Sequence, residues 1–202
     1  EIVLLEVAID ALCLEQRPKV DKNGSLETQP LQIYLDYIKL LSPPEEAVKL
    51  PVYEQVTRML CHLCYQRPWW QKVAGCIGLQ ILVERMPVKS LLSVELSITR
   101  ALLAIWKEST QDEIALTSER AYATLSKVLR QCHKTVDTDG DTTMKDEKDK
   151  GENNTPDDDL EQATFKDVVG ALSQELASLN STVRSNVQKL VGEFAQMTGK
   201  SV

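Results

Sequence analysis

Apolar residues along this chain recur at three- and four-residue intervals, with no sustained strict alternation between them. In QDEIALTSERAYATLSKVLRQCHK, the positions Ile114, Ala121, Leu125, Val128 and Cys132 share one stripe, and Ser118, Glu119 and Lys127 fall outside it. That spacing predicts an amphipathic helix packing a single face. The same reading gives helices over residues 1–15, 30–41 (Leu31, Tyr34, Leu35, Ile38, Leu41), 50–66 (Val52, Val56, Met59, Leu60, Leu63), 68–86 and 88–108 (Leu91, Val94, Ile98, Leu102, Ile105). Two more are predicted over residues 159–178 and 181–198. Pro43-Pro44, Pro51, Pro68 and Pro87 fall between these segments, each placed for a first turn, where a missing N–H leaves no bond unmade.

The segment at 68–86, WWQKVAGCIGLQILVERM, is apolar around most of its circumference, which predicts the most buried helix of the set. Glycine inside a helix costs about 0.5–1 kcal/mol relative to alanine. Gly75 and Gly78, three apart, therefore imply close approach of a neighbouring backbone.

Seven or eight helices joined by short turns fit either a stack of helical hairpins or a compact bundle. The last pair favours the stack. Leu179-Asn180-Ser181-Thr182-Val183-Arg184, then Val187, Leu190, Val191 and Phe194, shows the polar cap, Val-Arg and apolar spacing of the second helix of a HEAT repeat. The expected fold is all-α, an α-solenoid of HEAT-like helical hairpins over residues 1–133, with a further hairpin over 159–202. Residues 134–158 between them have almost no apolar content. They are expected to form an acidic flexible linker, because too little surface can be buried to offset the entropy of ordering.

Composition supports a folded helical body and narrows its partners. The 202 residues are 43% hydrophobic and only 5% aromatic. Residues 134–158 hold nine carboxylates against four lysines, so they account for −5 of the net charge of −7. The near-neutral remainder lacks the cationic footprint of a phosphate-backbone binder. No apolar run reaches transmembrane length, and the opening EIVLLEVAIDALCLE carries charges at helical spacing, so the chain reads as part of something longer.

Five cysteines at irregular spacing, Cys13, Cys61, Cys64, Cys76 and Cys132, point to reduced thiols rather than a disulfide framework. Cys61-His62-Leu63-Cys64 with Cys76 is the best candidate for a site. A zinc site usually needs two close ligand pairs, and the second would have to come from the remote Cys132 and His133. A thioredoxin-like dithiol requires a helix N-terminus to favour thiolate, whereas Cys61 and Cys64 close a predicted helix. Haem attachment needs His directly after the second Cys, where Tyr65 stands. Packed apolar side chains are the simpler reading.

Other motifs fail on spacing or have a structural use. Asp137-Thr138-Asp139-Gly140-Asp141 imitates a calcium loop, but its Gly comes at position 4 and Lys148 occupies position 12. Asn180-Ser181-Thr182 has the glycosylation pattern and equally makes a helix cap. Gly199-Lys200-Ser201 ends like a phosphate loop whose upstream Gly is replaced by Phe194. Trp69, Trp70 and Trp106 suit core packing before partner anchoring. No nucleophile stands with its base, so no catalytic, cofactor-binding or metal-ligating residue is assigned and an enzyme is not expected.

Two stretches, RPWWQKVAGCIGLQILVERMPVKSLL and LNSTVRSNVQKLVGEFAQMTGKSV, together about a quarter of the chain, resemble the HEAT-repeat region of the TRRAP family. These transformation/transcription domain-associated proteins and their fungal counterparts are giant pseudokinases of the phosphatidylinositol-kinase-related family. The resemblance runs through Cys64-Tyr65 and Trp69-Trp70 into the Gly-rich apolar stretch, and through Asn-Ser-Thr-Val-Arg to the closing Thr-Gly-Lys-Ser-Val. It implies a nuclear, non-catalytic scaffold segment of a SAGA-like histone acetyltransferase coactivator complex, presenting surfaces to transcription activators and complex subunits. It implies no cofactor, direct nucleic-acid contact, membrane contact or small-molecule substrate. Two other classes stay open on the residues alone: a HEAT-type adaptor or transport receptor for protein cargo, and a zinc or redox domain built on Cys61, Cys64, Cys76 and Cys132.

Overall fold

The computed structural model describes residues 2–17, 29–41, 50–108, 112–133 and 156–198. In chain order the described helices are α1 (Ile2–Glu15), α2 (Pro30–Leu41), α3 (Pro51–Cys64), α4 (Trp69–Arg85), α5 (Val88–Lys107), α6 (Asp112–Cys132), α7 (Pro156–Leu176) and α8 (Ser181–Thr198). No strand occurs among the described residues. The expected bounds hold to within a few residues. Residues 134–155 of the acidic linker lie outside the described residues, and 156–158 belong to α7.

Prolines set several of these starts. Pro51 is the first helical residue of α3, where its lack of an N–H is harmless. Pro68 and Pro87 sit one residue earlier than expected, as extended N-caps with ψ of 125° and 142°. The Pro87 carbonyl then accepts the first bond of α5, from Leu91 N at 2.9 Å. Asn180 caps α8: its side-chain oxygen accepts from the N–H groups of Thr182 (2.9 Å) and Val183 (3.4 Å). The sequon pattern is thus occupied as a cap, with two otherwise orphaned donors satisfied.

The packing is that of stacked hairpins. Successive helices pair as α1 with α2, α3 with α4, α5 with α6 and α7 with α8. Between hairpins, α3 packs on α5 and α5 on α7 in one layer, while α2, α4, α6 and α8 follow one another in the second. Two parallel layers, in which from α2 onward each helix touches the equivalent helix of the next pair while α1 packs on α2 and α4, define an α-solenoid; a bundle would instead gather all helices around one core.

Helices α4 and α5 share the centre. In α4, Lys72, Ala74, Gly75, Cys76, Gly78, Leu79, Ile81, Leu82 and Val83 are buried, as its all-round apolarity predicts. The expectation that α4 alone is the most buried helix needs correcting, because α5 buries a similarly broad surface from Ser90 to Trp106. The two glycines explain the fit of α3 on α4. A Cβ on Gly75 would lie 2.9 Å from the Leu60 carbonyl oxygen and 3.0 Å from the Cys64 nitrogen, and one on Gly78 would lie 2.4 Å from Leu60 Cδ2.

The packed face of α3 is rotated from the predicted stripe. Its buried residues are Tyr53, Val56, Thr57, Leu60, Cys61 and Cys64, with Val52, Met59 and Leu63 at the margins. On α2, Leu31, Leu35 and Ile38 are buried as predicted, but Leu41 is exposed. Leu41 joins Val3, Leu4, Val7, Ile33, Tyr37 and Leu40 on the exposed side of the first hairpin. Ion pairs stitch the pairs together: Arg85 to Asp36 at 2.9 Å, Lys127 to Glu84 at 3.4 Å and Lys107 to Glu175 at 2.6 Å. Such partly exposed pairs contribute up to about 1 kcal/mol each and mainly fix register.

Candidate functional site

The cysteine cluster is a packing feature. Cys61 and Cys64 occupy the last turn of α3, on the face that packs against α4 and α5, and Cys76 lies on α4; all three are buried free thiols. Burial pushes the Cys61 and Cys76 thiols up to about 12, and drives Cys64 well above the ordinary thiol value, with its neighbours Cys76 and Cys61 adding to the effect. A reactive thiol needs the opposite displacement. The Cys61 thiol donates to the Ser97 carbonyl at 3.7 Å and the Cys76 thiol to that of Thr117 at 3.8 Å. His62, between the two α3 cysteines, points outward to Gln66, with Nε2 and Nε2 2.7 Å apart.

The remote pair needed for zinc is engaged elsewhere. His133 Nε2 lies 2.8 Å from Oε1 of Glu95, both side chains buried, and the imidazole edges meet the rings of Phe165 and Phe194. Among the described residues no group of three or more His, Cys, Asp or Glu side chains is placed to hold a metal ion. The calcium-loop imitation at 137–141 and Gly199-Lys200-Ser201 lie outside the described residues.

The tryptophans divide. Trp106 is fully buried, donates from Nε1 to the Ser118 carbonyl at 3.1 Å and stacks on Tyr122. Trp69 is half-buried against the core, and Trp70, also half-buried, meets it edge to face. Tyr122 continues the Trp106 contact toward α8, donating to Glu193 at 2.7 Å beneath Lys189. The Tyr122 bond holds the Glu193 carboxyl below its ordinary value, while burial and Glu193 raise the Tyr122 phenol.

What the sequence does not reveal is a groove of about 620 Å³ between α3 and α5, two neighbours in the same layer. Small side chains make its floor: Thr57 and Cys61 from α3, with Ser93, Val94 and Ser97 from α5. The rim carries Glu54, Arg58, His62, Tyr65 and Arg100. Among the described residues neither Arg58 nor Arg100 has a carboxylate within ion-pair distance. The Tyr65 phenol is raised, first by burial and then by the nearby thiols, against the opposing charge of Arg100. The groove has no nucleophile–base pair, and its chemistry is that of recognition: a small-residue floor with separated charges on the rim.

The fold and this groove define a HEAT-type α-solenoid segment with a charged inter-hairpin surface. The chain belongs to the family described as the Tra1 HEAT repeat ring region, whose model matches residues 2–202. It is 29% identical over 197 residues to the transformation/transcription domain-associated protein of Homo sapiens, and 31% identical over 197 residues to that of Danio rerio. Each alignment covers 97% of this chain and 5% of the relative. Transcription-associated protein 1 of Drosophila melanogaster is 24% identical over 170 residues, 81% of this chain and 4% of that protein. The chain therefore spans about 5% of the length of the first of these curated relatives.

Proposed function

We propose that this chain is a non-catalytic scaffold segment of a transcription coactivator, holding protein partners on the faces and inter-helix grooves of its solenoid. The observation that carries the reading is the two-layer stack of hairpins in a chain of this family, an architecture whose extended surfaces serve protein binding. The relatives' names supply the association with transcription. On this reading the parent works in the nucleus, within a SAGA-like histone acetyltransferase complex, and the segment meets transcription activators or complex subunits. Direct nucleic-acid, membrane and small-molecule roles are not part of it.

Two features support a segment that works inside a longer array. The first hairpin leaves Val7, Ile33, Tyr37 and Leu40 exposed, and apolar patches of that kind are covered by partners or by further repeats. The near-neutral charge outside residues 134–158 suits protein contacts better than a phosphate backbone. Affinity purification of the full-length parent followed by mass spectrometry tests the proposal. Acetyltransferase subunits are the expected companions; nuclear import factors in their place would establish the transport-receptor alternative.

A further inference from the structure

We propose that the groove between α3 and α5 binds a linear segment of a partner protein whose charges follow a set order, one cation and then two carboxylates. This rests on the scaffold reading and specifies the occupant of one surface. The rim charges are ordered along the α3 axis. Glu54 stands at one end, Arg58 one turn on, and Tyr65 a further seven residues along, about 10 Å at 1.5 Å per residue. Arg100 reaches the rim from α5 near Tyr65, whose ionisation it influences.

Glu54, Arg58 and Arg100 on the rim also have no ion-pair partner among the described residues. Lys72, Arg85, Lys107, Lys127 and Arg130 all face carboxylates within the fold. Arg58 and Arg100 do not, and Glu54, one turn from Arg58 on the same helix, forms no ion pair with it. On the floor, by contrast, the hydrogens are already directed to backbone: Ser93 Oγ donates to the Ser90 carbonyl at 2.8 Å and the Cys61 thiol to that of Ser97. With Thr57 Oγ1 likewise bonded to the Tyr53 carbonyl at 2.7 Å and Val94 contributing only carbon, the floor suits an aliphatic side chain. Specificity falls to the rim.

Charge complementarity then orders the occupant. A lysine or arginine faces Glu54, an aliphatic residue lies on Val94, and two carboxylates face Arg58 and Arg100. In an extended segment, at about 3.3 Å per residue, carboxylates about three residues apart match the rise of about 10 Å along α3 from Arg58 to Tyr65, beside which Arg100 stands. Two cations set apart along an elongated groove favour two carboxylates over one phosphate.

Fluorescence anisotropy on the whole 202-residue chain tests this with short fluorescein-labelled peptides of one composition. In one, a lysine is followed by a leucine and two glutamates about three residues apart; in its permutation, the lysine lies between the glutamates. The ordered peptide should bind about tenfold more tightly, and R58E/R100E should remove about tenfold in affinity, the scale expected of several rim ion pairs. Both arginines are exposed, so an unchanged urea midpoint will show that the fold survives. Glu54→Lys should reverse the preference toward a peptide with glutamate in place of lysine, a switch that a structural role would not produce. Equal binding of the permuted peptide, or wild-type binding by R58E/R100E, overturns the assignment. Tighter binding of a phosphoserine peptide than of the ordered one transfers the groove to phosphate and also overturns it. If the peptides fail while acetyltransferase subunits still accompany the parent, the groove assignment falls and the scaffold reading stands.

Discussion

Nε2 of His133, just past the end of α6, lies 2.8 Å from Oε1 of Glu95 in the middle of α5, and both side chains are sealed from solvent. The other Glu95 oxygen meets no donor, and the imidazole is wedged edge-on between Phe165 of α7 and Phe194 of α8. The polar pair thus closes the third hairpin, and its imidazole carries the contact with the fourth. His133→Ala removes the partner of a buried carboxyl group and the ring on which both phenylalanines rest, and should cost about 3–5 kcal/mol. Glu95→Leu combined with His133→Phe should cost much less than the single change, because no buried polar atom is left stranded. Urea unfolding of the two variants beside the parent chain gives the comparison.

The four described glycines within helices divide by what surrounds them. At Gly75 an added methyl meets backbone on two sides, which cannot yield without separating α3 from α4. Gly75→Ala should therefore destabilise by about 1–3 kcal/mol despite its better helix propensity. At Gly78 the closest atoms are the ends of Leu60 and Leu12, flexible groups that can move, so Gly78→Ala should cost less. Gly170 and Gly192 face open space on α7 and α8. Alanine at either should stabilise by about 0.5–1 kcal/mol, and thermal melts of the four variants should show this division of sign.

The sequence carries the helices more fully than it carries the surfaces between them. On α5, Leu91, Val94, Ile98, Leu102 and Ile105 form a single stripe in sequence and are all buried, since amphipathic spacing is a local property. On α3, Tyr53 and Thr57 turn the packed face toward α5, and polarity alone gave no sign of it. Glu95 and Lys72 are charged and nonetheless buried, because each finds a partner far along the chain: His133, 38 residues away, for one and the Glu108 carboxylate for the other. The α3–α5 groove escapes a linear reading for the same reason: Arg58 and Arg100 stand on different hairpins, and only stacking makes them two sides of one cleft.

Trp106 and Trp70 should behave as opposites. Trp106 is fully enclosed, with its indole N–H on the Ser118 carbonyl, so Trp106→Ala should cost about 3–5 kcal/mol. Trp106→Phe keeps much of the volume and loses only the indole hydrogen bond, since the Ser118 carbonyl keeps its place in the α6 helix ladder, for about 1 kcal/mol. Trp70 is half-buried beside Trp69, and roughly half of a buried side chain's transfer free energy, about 1 kcal/mol, should be lost in Trp70→Ala. Chemical denaturation followed by circular dichroism separates Trp106→Ala from the other two.

The buried thiols give the chain an alkaline stability limit. Cys61 and Cys76 are raised by burial from the ordinary 9.0 to about 12. Between those values the unfolded chain releases protons that the folded chain keeps. Stability is therefore fully present below about pH 9 and falls as pH rises toward 12. At about pH 10 each thiol should account for roughly 1 kcal/mol of lost stability relative to about pH 8. Cys61→Ala with Cys76→Ala lowers stability at every pH by opening cavities, but it should flatten the dependence. The deciding measurement is the difference in urea midpoint between the two pH values. A slope in the double variant as steep as in the parent chain would assign the alkaline loss to other groups, of which the raised thiols of Cys64 and Cys13 are the first candidates and the raised phenols of Tyr53, Tyr65 and Tyr122 the next.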